Sequence, residues 1–86
     1  MASAKKRQLT IIVNGVAVEV ERNENAPLQS AIGKALELSG NVGQPVENWE
    51  LRDANGNLLD ASKKIEDFGF PDEVKLFLSL QAGIGG

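Results

Sequence analysis

The sequence predicts an α+β fold in which a mixed sheet of four to five strands packs on one helix, and three features carry that prediction. Asn14-Gly15 stands between two apolar runs, the strongest short-range signal for a two-residue hairpin with a type I′ turn. An apolar stripe at helical spacing extends from Leu28 to Leu36. An alternating run from Val74 to Leu80 forms the final regular segment.

Composition sets the scale and removes several function classes. The chain has 86 residues, 42% of them hydrophobic, which supplies one small core and not two domains. It has no cysteine and no histidine, so thiol nucleophiles, disulfides, the commonest metal ligand and the usual neutral-pH general base are missing. Intrinsic catalysis, a metal site and a resident cofactor are not expected. Net charge is -3 and the pI is near 4.8, with no basic stripe interleaved with aromatics, so neither nucleic acid nor an anionic membrane is an expected partner. Lys5-Lys6-Arg7 is the basic run of the sequence and reads as a solvated lead-in. No apolar run approaches the roughly 18 residues a membrane span needs, and nothing resembles a signal peptide, which makes the cytoplasm the expected location. The expected organisation is a polar arm over residues 1–7, a compact monomeric domain over 8–80, and a tail over 81–86 that ends in Gly-Gly.

Taken in order, strand pattern begins at Gln8, and the Asn14-Gly15 turn fixes its register. Val13 faces Val16, Ile11 faces Val18 and Leu9 faces Val20, so all six share a core face. Thr10, Ile12, Ala17, Glu19 and Glu21 take the other face, where Ile12 is the apolar exception. Arg22 to Ala26 reads as a polar loop, and Pro27 supplies the preset φ of a first helical position. The helix buries Leu28, Ala31, Ile32, Ala35 and Leu36, turns Gln29, Ser30, Lys34 and Glu37 to solvent, and stops at Gly40. Gly33 inside it weakens it by up to ~1 kcal/mol relative to alanine, without a sequence-level reason.

Asn41 to Asn48 contains Gly43 and Pro45 and reads as a loop. Trp49 to Arg52 alternates as a strand, and Asp53-Ala54-Asn55-Gly56-Asn57 turns the chain toward a short Leu58-Leu59 strand, a second and weaker hairpin. Ala61 to Phe70 mixes charged residues with Ile65, Phe68 and Phe70, which predicts a short helical turn or irregular segment pinning apolar groups under the sheet. After Pro71-Asp72-Glu73, the last strand faces Val74, Leu76, Leu78 and Leu80 one way and Lys75, Phe77 and Ser79 the other. For a single core, the helix must cross the apolar face of the sheet, and the last strand must lie centrally and parallel to the first. That is a β-grasp.

These elements resemble ubiquitin and the ubiquitin-like modifiers, over about Gln8 to Gly86. The second half carries most of the likeness. Leu59-Asp60, Lys64-Ile65-Glu66-Asp67-Phe68-Gly69-Phe70, Pro71-Asp72-Glu73-Val74 and Lys75-Leu76-Phe77-Leu78-Ser79-Leu80 read like the modifier's Leu-Glu-Asp, Thr-Leu-Ser-Asp-Tyr and final strand. The sequence looks similar to small bacterial proteins encoded beside E1-like, E2-like and JAB-type peptidase genes, systems linked to phage defence.

The resemblance implies that the Gly86 carboxylate is the reacting group. An E1-like enzyme would adenylate it with ATP and hold it as a thioester, an E2-like enzyme would deliver it to an amine of a target protein, and a JAB-type peptidase would remove it. Gly85 and Gly86, which lack Cβ, suit passage through a narrow channel with the carbonyl left open to attack. Leu80, Gln81, Ala82, Gly83 and Ile84 would be the tail that the E1-like enzyme recognises. Ser79, Gln81 and Ala82 stand where the family often carries arginines, which implies a dedicated E1-like partner. Glu50 stands where ubiquitin has an exposed isoleucine on its third strand, whereas Phe77 and its expected neighbour Ile12 form either a partner surface or ordinary exposed apolar surface. Lys34, Lys63, Lys64 and Lys75 are candidate acceptors for chain building, or serve solubility. Two other functions fit the same ending: a sulfur carrier of the molybdopterin or thiamin type, with a thiocarboxylate at Gly86, and a non-conjugated ubiquitin-like interaction module.

Overall fold

In a computed structural model, which describes residues 8–41, 43 and 45–81, the chain folds back at Asn14-Gly15 to pair Gln8–Val13 (β1) with Val16–Glu21 (β2). Both turn residues have positive φ, 51° and 86°, as the type I′ turn requires. The register is the one the turn dictates, with Val13 opposite Val16, Ile11 opposite Val18 and Leu9 opposite Val20. Leu9, Ile11, Val13 and Val20 are buried and Val18 packs against them. Val16 departs from the expectation and is 56% exposed. It shares the core face but sits at the hairpin tip on an edge strand, where that face runs out of cover.

Helix Leu28–Ser39 (α1) begins one residue later than expected. Pro27 is extended, with φ -67° and ψ 150°, and pairs in an isolated antiparallel bridge with Lys64. The first helical amides are capped by the returning chain: Leu28 N–H donates to the Lys63 carbonyl and Gln29 N–H to the Ala61 carbonyl, both at 2.9 Å. Leu28, Ala31, Ile32, Ala35 and Leu36 are buried as their spacing predicts. Gly40 ends the helix in the left-handed region, and the Asn41 N–H reaches back to the Leu36 carbonyl at 2.8 Å. A Cβ added at Gly33 would meet Val46 Cγ2 at 3.9 Å, an ordinary contact, so no close approach demands glycine there.

Trp49–Arg52 (β3) follows a 3-10 turn at Val46–Asn48, inside the stretch expected to be loop. The expected second hairpin reduces to one bridge, Arg52 with Leu58, next to a Leu59 N–H to Leu51 carbonyl bond of 2.9 Å. Asp53 is the reason. Its Oδ1 accepts the Asn55 and Asn57 amides at 2.9 Å each, closing a side-chain-based turn where a strand ladder would need those groups. A 3-10 turn at Ile65–Phe68 buries Ile65, and the Phe68 and Phe70 rings stack 5.1 Å apart against the core.

Lys75–Leu80 (β4) completes a four-stranded sheet of order β2-β1-β4-β3. It runs parallel to β1 and antiparallel to β3, and buries Leu76 and Leu78. Helix α1 packs on the core face, against β1 and β2. The arrangement is the β-grasp that one core required. The expected arm over residues 1–7 lies outside the described residues.

Candidate functional site

The tail leaves the sheet from a pinned point. Leu80 pairs with Trp49 across the β3-β4 ladder. One residue on, Gln81 donates its backbone N–H to the Asn48 carbonyl at 2.9 Å and its side-chain Nε2 to the Glu47 carbonyl at 2.9 Å. Its main chain and side chain are thus both tied to the 3-10 turn before β3. Ala82, Gly83, Ile84, Gly85 and Gly86, the expected recognition and reaction residues, lie outside the described residues.

Beside this exit is a cavity of about 300 Å³ between α1, β3 and the 58–62 segment. Ile32, Leu51 and Leu59 give it apolar walls, while Gln29, Ser62 and Gln81 supply polar ones. Trp49 also lines it. The indole is 7% exposed, and its Nε1–H has no hydrogen-bond partner among the described residues. The sequence places Trp49 on a strand but gives no sign of this unpaired donor, because only the packing of three separate segments creates it.

The outer face of the sheet brings together the two residues that the alternation singles out. Ile12 pairs directly with Phe77 in the parallel β1-β4 ladder. The same row continues to Ala17 on β2 and to Arg52 on β3, so its apolar stretch is closed by a cation at one end. Phe77 is 41% exposed and Ile12 is half-buried. Polar and charged residues flank the row: Glu19, Thr10 and Lys75 form the next one, and Glu50 accepts from Arg52 Nη2 at 3.0 Å. Lys34, Lys63, Lys64 and Lys75 are all exposed, with Lys34 3.5 Å from Glu37.

Arg22, expected in a polar loop, is instead buried. Its guanidinium donates to the Phe70 and Pro71 carbonyls, each at 2.6 Å, and to the Glu24 carboxylate at 2.8 Å, and it lies 5.9 Å from the centre of the Phe70 ring. It clamps the segment before β4 to the end of β2. No local pattern marks such a residue, since its acceptors are backbone groups 48 and 49 positions away.

The carboxylates with displaced titration form turns. The Asn57 backbone N–H is the main cause that holds the Asp53 pKa below its ordinary value, against an opposing effect of burial and with further help from the Asn57 and Asn55 amides. The Ser62 hydroxyl, donating at 2.6 Å, does the same for Asp60, aided by the Ser62 N–H and the charge of Lys63. Among the described residues no three His, Cys, Asp or Glu side chains cluster as metal ligands, and no helix is long and apolar enough to cross a membrane.

A family model described as "Protein of Unknown function (DUF2604)" matches residues 2–86. A relative from Sinorhizobium fredii (strain NBRC 101917 / NGR234), "Uncharacterized protein y4jI", is 53% identical over 81 residues, 94% of this chain. The chain spans 62% of that relative's length. Among solved structures, Caldiarchaeum Subterraneum Ubiquitin superposes with a TM-score of 0.71 at 21% identity, covering 95% of this chain and all of that one. The fold is therefore that of a ubiquitin-like β-grasp.

Proposed function

The chain belongs to the DUF2604 family and has a ubiquitin-like fold, and we propose that it is a protein modifier acting through the carboxylate of Gly86. One observation supports this reading above the others. The central strand β4 ends at a doubly anchored Gln81, and the sequence reaches Gly85-Gly86 within the next five residues. A rigid head with a glycine pair at that distance can present a carboxylate to an enzyme while the head is gripped elsewhere.

In this reading an E1-like enzyme supplies the chemistry that a chain without Cys or His does not hold. The Gly86 carboxylate attacks the α-phosphate of ATP, forming an acyl adenylate and releasing pyrophosphate. An enzyme thiol displaces AMP to give a thioester, which passes to a thiol of an E2-like enzyme. A target amine attacks that thioester, the thiol leaves, and an amide forms. A JAB-type peptidase returns the free carboxylate by hydrolysis. Leu80 to Ile84 form the segment gripped by the E1-like enzyme, and the Ile12-Phe77 row forms the apolar part of a partner-facing surface. Dependence on ATP points to the cytoplasm for this work. The protein contributes a shaped head and a carboxylate, and is not itself the catalyst.

The test is mass spectrometry of the chain ending at Gly86 after incubation with ATP and the products of its neighbouring genes. An amide between Gly86 and a protein amine supports the modifier reading. Sulfur in place of a terminal oxygen would instead assign a sulfur carrier, and an unchanged free acid would leave an interaction module. Deleting Gly85 and Gly86 should abolish transfer while leaving the melting temperature unchanged.

A further inference from the structure

We propose that the free edge of β2 is a docking site for an extended segment of another protein, one in which apolar residues alternate with lysine or arginine. The site lies apart from Gly86 and from the Ile12-Phe77 row, so the inference stands whatever the tail does.

Strand β2 closes one side of the sheet and pairs only with β1. Val13 and Val16 flank a two-residue turn, so Val16, Val18 and Val20 exchange their backbone bonds with β1, and Ala17, Glu19 and Glu21 direct theirs outward. The Thr10 N–H keeps the same phase. It donates to the Val74 carbonyl on the β4 side, and so leaves the backbone of Glu19, opposite it, turned to the free edge. Six residues in unbroken register, with neither proline nor bulge, give an added strand a complete template.

The two faces beside this edge differ in chemistry. On the core face Val16 is exposed and Val18 half-buried, so the helix leaves both partly uncovered. On α1, Gln29 and Ile32 line the cavity with Trp49, and Gly33 faces Val46, which assigns that flank of the helix to β3. Leu38, spaced three and seven residues from Ala35 and Ala31, falls on the opposite flank and is also exposed. Because α1 starts soon after β2 and packs back along it, its last turn comes toward the Val16 end. An added strand therefore meets apolar side chains at Val16, Val18 and Leu38. On the outer face Glu19 and Glu21 are exposed, stand opposite the neutral Thr10 and Gln8, and form no ion pair among the described residues.

Opposite charges facing each other across a ladder stabilise it, and like charges destabilise it. The two carboxylates thus select a segment with basic residues at alternate positions. They disfavour a second copy, whose β2 would bring its own Glu19 and Glu21 into the same row at a net charge of -3 per chain.

The experiment is NMR on the nitrogen-15-labelled full chain, titrated with the peptide acetyl-Gly-Val-Lys-Val-Lys-Val-Gly-amide. Expected are amide shifts along β2 and at Leu38, with slower hydrogen exchange at Ala17, Glu19 and Glu21 and little change in exchange at Val18 and Val20. The same peptide with glutamate in place of lysine should bind about tenfold more weakly, and the double variant Glu19→Lys, Glu21→Lys should reverse that order. Leu38→Ser should weaken the lysine peptide without lowering the melting temperature. Three results would each overturn the proposal: no shifts along β2 at millimolar peptide, equal affinity for the lysine and glutamate peptides, or protection of the three amides in the chain alone that rises with its concentration, which would assign the edge to a second copy.

Discussion

Replacing Arg22 by alanine should destabilise this domain far more than its place in a charged, polar loop suggests. The side chain is 3% exposed, and the guanidinium makes two 2.6 Å bonds to the Phe70 and Pro71 carbonyls and one of 2.8 Å to Glu24. Hydrogen bonds to a charged donor contribute about 1.5–3 kcal/mol each, which puts the two carbonyl bonds at about 3–6 kcal/mol. Pro71 is exposed and water can reach its carbonyl once the side chain is gone, which lowers the expected loss to about 2–4 kcal/mol. The Glu24 pair adds little, because that carboxylate is 32% exposed and surface pairs contribute about 0–1 kcal/mol. In a domain of this size a loss of about 3 kcal/mol lowers the melting temperature by roughly 12–24 °C. Arg22→Lys keeps the charge but not the planar fork that reaches both carbonyls and Glu24, so it should recover less than half of the loss. Urea denaturation of the three proteins measures this directly. A loss below about 1 kcal/mol for Arg22→Ala, or a lysine variant equal to the parent, would refute the clamp.

Three further outcomes follow from the same packing. Ile11→Ala or Leu78→Ala, at 0% and 2% exposure on adjacent central strands, should each cost about 2–5 kcal/mol by urea denaturation, and a loss well under 1 kcal/mol would contradict their facing. Gly33→Ala should stabilise by up to about 1 kcal/mol, because helix propensity improves and the new methyl meets only Val46 at ordinary distance; a lower melting temperature would show that the Val46 contact is tighter than it stands. The Asp53 pKa is lowered by folding, so its contribution to stability is present above the ordinary value of 3.8 and is lost as pH falls through the folded value. Urea midpoints should therefore drop below about pH 4, and Asp53→Asn should flatten that drop; an unchanged slope would remove Asp53 from the acid response.

What is legible in the sequence is periodic. The Asn14-Gly15 turn fixes the β1-β2 register, and period 2 fixes which side chains share a face, so alternation sets Ile12 and Phe77 on the outer face, while the parallel β1-β4 register makes them neighbours. Periodicity says which way a side chain points, however, and not whether anything covers it. Val16 points to the core and finds no cover there. Long-range polar pairing is illegible for a related reason: Arg22 and the Trp49 indole are defined by groups that distant segments bring to them, and neither leaves a local pattern. Pro27 stands one position outside the helix because its φ suits both an extended cap and a first helical turn, and the bridge to Lys64 decides between them. Of the candidate site, the sequence identifies the glycine pair, while the anchoring of Gln81 and the cavity beside it emerge only from the fold.

The topology also separates the two ends of the domain in a way that bears on function. Because β1 and β4 run parallel, with Thr10 beside Lys75 and Val13 beside Leu78, Gln8 lies at one end of the strands and Gln81 at the opposite one, level with the hairpin tip. Gln81 therefore lies at the end that carries the 3-10 turn, Trp49 and the cavity. The Ile12-Phe77 row lies on the outer face of the same two strands, nearer to that end than to the other. A partner bound to this row would thus grip the outer face of the two central strands and leave the opposite, helix-covered face untouched.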